Sequence, residues 1–225
     1  MISSTAENAS KDYSLAIETK ESNDYVSAAK KFHQVYSLSP KDTSFLDNAA
    51  LVYSFGKEYE ASKDLYEKLL ELNYTGISTI YVATNKEDGK DITFNDKKAM
   101  DLQVKLGIVE NPREEAKDSR REFIFKNLAQ NYVALENNDK ALEVIAKGRE
   151  EFPKSYSLLI DEANIYYKMG DNAKFKERLE EAITLNPTDP TLYYNVGVMN
   201  MDQKNIEEAI KNFNKAIEIK PDYGD

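Results

Sequence analysis

Along most of this chain apolar residues recur three and four positions apart. Leu159, Ala163 and Tyr166 form one such series, and Ala209, Phe213 and Ala216 another. That spacing gathers an apolar stripe on one face of an α-helix and leaves charged residues on the other, so the pattern predicts a succession of long, polar, surface-lying helices. One stretch breaks the rule. Over residues 80–95, "IYVATNKEDGKDITFN", β-branched and aromatic residues alternate around Asp88-Gly89, the mark of two short strands joined by a tight turn. A two-residue turn sets Glu87 opposite Lys90 and Ala83 opposite Phe94, whereas a three-residue loop with Gly89 left-handed opposes Lys86 and Lys90; the first pairing avoids the like charges and is preferred. Asn95 or Asp96 then caps a helix over residues 97–106 that stops at Gly107. Asn111-Pro112 followed by Glu114 and Glu115 opens a further helical stretch, continuous with the next helix or restarted at Ser119.

The helical series has a longer period. Pro153, Pro187 and Pro221 are 34 residues apart, and counting back from each gives repeat starts at Glu122, Tyr156 and Pro190; Pro40 gives a start at Ala9 and a second at Thr43. On that ruler the last repeat carries Tyr193, Val196, Gly197, Asn200, Ala209, Phe213, Ala216 and Pro221, and the repeat from Glu122 carries Phe125, Leu128, Ala129, Tyr132, Ala141, Ile145, Gly148 and Pro153. The repeat from Tyr156 departs from the pattern at Glu162 and Phe175, the first at Asp12 and Thr19, and the second has Tyr74 where proline falls. Small residues at the eighth and twentieth positions let two antiparallel helices approach, large apolar ones fill the groove between them, and the proline ends the second helix. Ser155 and Asp189-Pro190 supply starts, and Ser119 with Glu122 makes a capping box.

These residues resemble the tetratricopeptide repeat (TPR), a helix-turn-helix unit of the same length and pattern. The resemblance implies an all-α, TPR-like α-solenoid of stacked helix pairs carrying a small β-hairpin insertion. The expected layout is a flexible tail over residues 1–8, two repeats over 9–76, a modified repeat over 77–121 and three repeats over 122–223, all one solenoid. In the modified repeat the hairpin replaces the first helix and residues 97–106 keep the second. The hairpin is read either as an insertion that the array tolerates or as an element that selects a partner.

Composition narrows the function. The 225 residues include 30 Lys and Arg against 40 Asp and Glu, a net charge of −10, with bases interleaved among acids. Nucleic acid or an anionic membrane requires a clustered basic footprint, so neither is an expected partner. No cysteine is present, which removes thiolate metal sites, disulfides and cysteine nucleophiles. No apolar run reaches the ~18 residues of a membrane span, and the opening "MISSTAENAS" lacks the form of a signal peptide. The compartment is therefore read as cytoplasmic, or exported with the leader absent from this chain. Setting Gly89 at the glycine of an EF-hand loop puts Thr84 and Lys86 where carboxylates are needed and Asn95 where a glutamate must close it, so that metal reading fails. The single histidine, His33, has no nucleophile or carboxylate partner in a recognisable arrangement, and no glycine-rich phosphate loop occurs. No catalytic residue, metal site or cofactor is expected.

What the resemblance implies instead is a binding surface: the concave groove lined by the first helix of each repeat, taking a protein or peptide. The candidate groove residues are Asn48, Phe123, Lys126, Asn127, Gln130, Asn164, Tyr167, Tyr194, Asn195, Val198 and Met201. Amides offer a donor and an acceptor to a peptide backbone, and tyrosines give rigid amphipathic area. Inter-repeat hydrogen bonding accounts for the asparagines equally well. A carboxylate clamp could begin at Lys126 and Asn127, but Asp161 and Tyr194 stand where further bases would help. Two further readings are an assembly spacer with an empty groove and a small-molecule or glycan module. The sequence ends as another repeat would open, so its last apolar face is expected to be covered by more of the array or by self-association with another copy.

Overall fold

The computed structural model describes residues 2–76, 78–94, 96–117 and 120–221. In chain order the elements are α1 (Ile2–Thr19), α2 (Ser22–Leu38), α3 (Ser44–Phe55), α4 (Tyr59–Glu71), β1 (Ser78–Asn85), β2 (Asp91–Phe94), α5 (Lys97–Lys105), β3 (Val109–Lys117), α6 (Arg120–Ala134), α7 (Asn138–Glu151), α8 (Tyr156–Lys168), α9 (Asn172–Leu185), α10 (Pro190–Asp202) and α11 (Ile206–Ile219). They form two compact units, one within Met1–Leu72 and Ile124–Asp225, the other Asn73–Phe123.

The first unit is helical. Its ruler is visible in the backbone: Glu136, Gly170 and Lys204 sit 34 residues apart in the left-handed region, each between the two helices of a pair, and Lys57 takes the same place in the second pair. The first pair turns three positions earlier, at Lys20. Residues 2–8, expected as a flexible tail, are helical instead, because α1 continues to Ile2 and buries Ala9 completely. The eighth position is buried in every pair, as Ala16, Ala50, Ala129, Ala163 and Gly197. Gly197 shows why it must be small: a β-carbon there would lie 2.5 Å from the Phe213 ring. Capping follows the sequence, with Ser155 accepting from the Leu158 N–H (3.1 Å) and Asp189 from the Thr191 N–H (2.9 Å). The capping box at Ser119 lies outside the described residues.

The pairs are joined by specific contacts. Asn131 of α6, fully buried, donates to Ser62 Oγ (2.7 Å) and accepts from Ser54 Oγ (3.2 Å), so α6 meets α3 and α4 directly although three strands and α5 lie between them in sequence. Glu162, which stands where the repeat pattern has leucine, is 9% exposed. It is satisfied by two arginines: Arg149 Nη1 lies 2.7 Å and Arg178 Nε 3.1 Å from its carboxylate. Glu181 closes the ring at 2.7 Å from Arg149 and 2.6 Å from Arg178. Glu181 is thus one side of a charge network linking α7, α8 and α9, rather than part of a solvated face.

The second unit corrects two expectations. Its sheet has three antiparallel strands in the order β2-β1-β3, where a two-stranded hairpin was expected. Residues 109–117 form β3, not a helix. Asn111 takes a left-handed φ of 50°, and Asn111 and Pro112 together oppose Ala83 alone, so the proline sits in a β-bulge on an edge strand where its missing N–H costs least. The acids read as a helix start find bases instead: Glu114 meets Lys97 of α5 at 2.7 Å, and Glu115 meets Arg113 of its own strand at 2.6 Å. The hairpin also differs. Ala83 faces Ile92 and Tyr81 faces Phe94, and the Asn85 N–H donates to the Lys90 carbonyl (2.7 Å), which closes a four-residue loop. Asn85 and Asp88 stabilise this wider turn by accepting from the N–H groups of Glu87 and Lys90, and Gly89 supplies the left-handed residue. The register moves by two, so each residue keeps its face. Ala83, Tyr81, Ile92 and Phe94 accordingly pack with Met100 and Val104 of α5 and with Val109. Asp96 caps α5, accepting from Ala99 N–H at 2.8 Å, and Gly107 ends it with a left-handed φ; Asn95 lies outside the described residues.

Candidate functional site

The first helices α3, α6, α8 and α10 present the predicted groove residues, and their neighbours decide what each can do. Gln130 and Asn164 are exposed and come together with Ala129, Val133, Asp161 and Ile165 around a cleft of about 170 Å³ between α6 and α8. Lys126 lies beside it, but its ammonium is engaged by Asp161 (3.6 Å) and by the Ser157 hydroxyl. A clamp for a free carboxylate needs unspent positive charge, and the Lys126 ammonium is already shared.

Further along, the Tyr167 hydroxyl donates to Asp202 at 2.5 Å, linking α8 to the end of α10. That bond holds the phenol above its ordinary range, because ionising it would set a second negative charge against the carboxylate. Its ring rests 5.1 Å from that of Phe175. The Lys168 ammonium caps the Val133 carbonyl at 2.8 Å. The Tyr167 and Lys168 hydrogen bonds are ties between consecutive first helices, fixing their spacing.

The remaining candidates divide. Asn48 is exposed on α3, and Asn127, Asn195 and Val198 are half-buried on α6 and α10. Met201 is exposed at the end of α10. Tyr194 lies elsewhere: its ring sits 5.6 Å from Phe213 and, with Ala216 and Ile217, lines a separate apolar cleft of about 270 Å³ at the last pair. Phe123 belongs to the second unit, where the Arg120 guanidinium covers its ring at 4.0 Å. Sequence reasoning passed over Asp161 as a cleft residue and Asp202 as a partner. Their positions, sixth and thirteenth of the repeat, are where the signal lay.

A second cleft, of about 440 Å³, opens between α4, α6 and α7, lined by Glu67, Glu143, Lys140, Lys147 and apolar residues including Leu70 and Leu128. Here the Tyr132 hydroxyl donates to Glu67, and burial followed by that bond pushes the phenol up to about 12. Among the described residues no group of three or more His, Cys, Asp or Glu could hold a metal ion, and no helix is long and apolar enough to cross a membrane.

Comparison with known proteins agrees with this geometry. Models of the tetratricopeptide repeat match residues 44–75, 156–189 and 190–223. A stretch of 105 residues is 30% identical to the human protein O-mannosyl-transferase TMTC3, covering 44% of this chain; the chain spans only 11% of that relative's length. Among solved structures, MamA from Desulfovibrio magneticus RS-1 is 11% identical with a TM-score of 0.60, over 98% of both chains. A thermophilic TPR protein of Thermus thermophilus is 14% identical with a TM-score of 0.56, over 99% of this chain and 93% of that one. At such identities the likeness speaks for the fold. With four of the five helix pairs on one 34-residue ruler and repeat models matching three of the five, the chain carries tetratricopeptide repeats, a fold that supports a protein-interaction scaffold in general.

Proposed function

We propose that the chain is a non-catalytic scaffold that holds an extended polypeptide in the groove of its first helices, with α6 and α8 at the centre. The observation that carries this reading is the pair of exposed amides, Gln130 and Asn164, at one cleft beside which Lys126 is engaged by Asp161 and Lys168 by the Val133 carbonyl. Two side-chain amides facing one channel read backbone N–H and C=O groups and do not require a particular side chain or a terminal carboxylate. The ties at Lys126, Tyr167 and Lys168 keep the first helices at fixed spacing, which reduces the entropy lost when a ligand docks.

A random peptide library displayed on phage and selected on the full chain supplies the probe. The best peptide, fluorescently tagged, is then titrated against the parent and against a Gln130→Ala, Asn164→Ala double variant. Loss of two amide contacts is expected to weaken binding by roughly 10- to 100-fold, about 1–3 kcal/mol, with an unchanged circular dichroism spectrum. Equal binding by the variant sinks the groove assignment. The second reading, an assembly spacer with an empty groove, draws on the same polar ties, and selection that yields no peptide at all favours it.

A further inference from the structure

The helix of the second unit is apolar on two opposite sides. Met100 of α5 forms one cluster with Ala83 and Val109 of the sheet, and Val104 packs against it. Leu102 and Leu106 follow these two by two residues each, about 200° around a helix, and are 54% and 61% exposed. A helix that only covers a sheet needs one apolar face, and its opposite face is ordinarily polar. The end of α5 extends the second face. The Gly107 N–H donates to the Val104 carbonyl (3.0 Å) and the Ile108 N–H to the Gln103 carbonyl (3.1 Å), the two bonds that fold a chain back over the last turn of its helix. In that closure the residue after the glycine commonly touches the one six positions back, here Leu102. Ile108 is itself 46% exposed.

The charges beside this face are unevenly placed. On α5 the charged neighbours of the leucines at spacings of three and four are Lys98 and Lys105. Lys86 joins them from the hairpin, its N–H bonded to the Ile108 carbonyl (3.1 Å). Lys90 and Lys97 nearby are paired with Asp88 (3.6 Å) and Glu114 (2.7 Å). Lys86, Lys98 and Lys105 are exposed and make no ion pair among the described residues. The remaining acids stand off the leucines: Asp101 lies on the Lys97 side of α5, where that ammonium feels its charge, and Glu87 and Glu110 are exposed on the hairpin loop and on β3.

We propose that the outer face of α5 docks an acidic, apolar-anchored segment of a partner protein. Its large apolar side chains seat on Leu102, Leu106 and Ile108, and its carboxylates reach Lys86, Lys98 and Lys105. This surface is separate from the groove of the first helices and belongs to the sheet-bearing unit alone. A bilayer fits it less well. Basic clusters that hold anionic lipid contain about four to eight Lys and Arg, and a flat surface would also meet Asp101, Glu87 and Glu110, which a narrow segment lying along the leucines avoids.

Random peptides displayed on phage, depleted on a Leu102→Ser, Leu106→Ser variant and then selected on the full chain, supply the probe; the depletion removes groove binders. The survivors are expected to carry Asp and Glu beside apolar residues. As fluorescent peptides they are expected to bind Lys98→Glu, Lys105→Glu at least about tenfold more weakly than the parent, and to weaken as salt rises. That variant leaves the apolar face intact, and all four substituted positions are exposed, so unchanged circular dichroism is expected. No survivor, survivors without an acidic excess, or equal binding by the lysine variant overturns the proposal. Cosedimentation with phosphatidylserine vesicles that the leucine variant loses overturns it in favour of lipid. A concentration-dependent rise in sedimentation-velocity mass that the leucine variant loses overturns it in favour of a second copy.

Discussion

At the scale of single residues, the departures from the repeat pattern are the informative positions. Glu162 breaks the leucine rule, and the structure accounts for it through Arg149 and Arg178, which were legible only as surface charges in the sequence. The reason is that repeat position gives a residue's face but not its partners, and this buried carboxylate is defined by partners from two other helices. Replacing Glu162 with alanine leaves two arginines facing each other with Glu181 alone between them. The loss is expected to be about 2–3 kcal/mol, below that of a fully enclosed pair because both arginines are partly solvated; urea denaturation measures it. Tyr132 offers a test by pH. Its phenol is raised from 10.0 to about 12, so the folded protein holds that proton more tightly than the unfolded chain. The stabilisation is whole below pH 10 and is lost as pH rises through about 12. The stability difference between the parent and Tyr132→Phe should therefore be constant below the lower value and shift against the parent above it. A flat difference across the whole range contradicts the Glu67 contact.

At the scale of elements, the helices were readable and the sheet only in part. Periodicity, small residues and caps located the helix pairs, because each depends on residues close in sequence. The third strand was missed because Asn111-Pro112 with following acids is the local signature of a helix start; what makes it a strand is the open edge of β1, nearly thirty positions earlier. The hairpin register slipped by two, since the Asx contacts of Asn85 and Asp88 favour a wider loop than charge pairing suggests, yet its apolar face was read correctly because a shift by two preserves parity. The close approach of α10 and α11 gives the prediction for this scale. Gly197→Ala gains helix propensity of about 1 kcal/mol but drives a methyl group into the Phe213 ring. The clash costs about 1–3 kcal/mol, so a lowered melting temperature is expected, and a raised one would show that the pair can relax apart.

At the scale of the molecule, the helical array and the antiparallel sheet fall in two compact units. The Arg120 N–H donates to the Thr75 carbonyl at 2.7 Å, so the two ends of the sheet-bearing excursion already lie together. We read that segment as an insertion into the array: exchanging residues 77–118 for a short Gly-Ser linker is expected to leave a cooperatively unfolding helical protein, and a molten product would mean that the array depends on it. Of the candidate groove, repeat position alone named the amides of α6 and α8, which the structure brings to one cleft, and also Tyr194, whose ring turns toward Phe213 instead. Repeat position could not show that turn, because it gives a residue's face and not the ring it packs against. The central claim is that an extended polypeptide occupies the channel of the first helices. Chemical-shift mapping of the library-selected peptide on isotope-labelled chain tests it most directly. The account predicts perturbations running along α6, α8 and α10 and centred on Gln130 and Asn164; perturbations confined to α7, α9 and α11, or to the sheet, would contradict it.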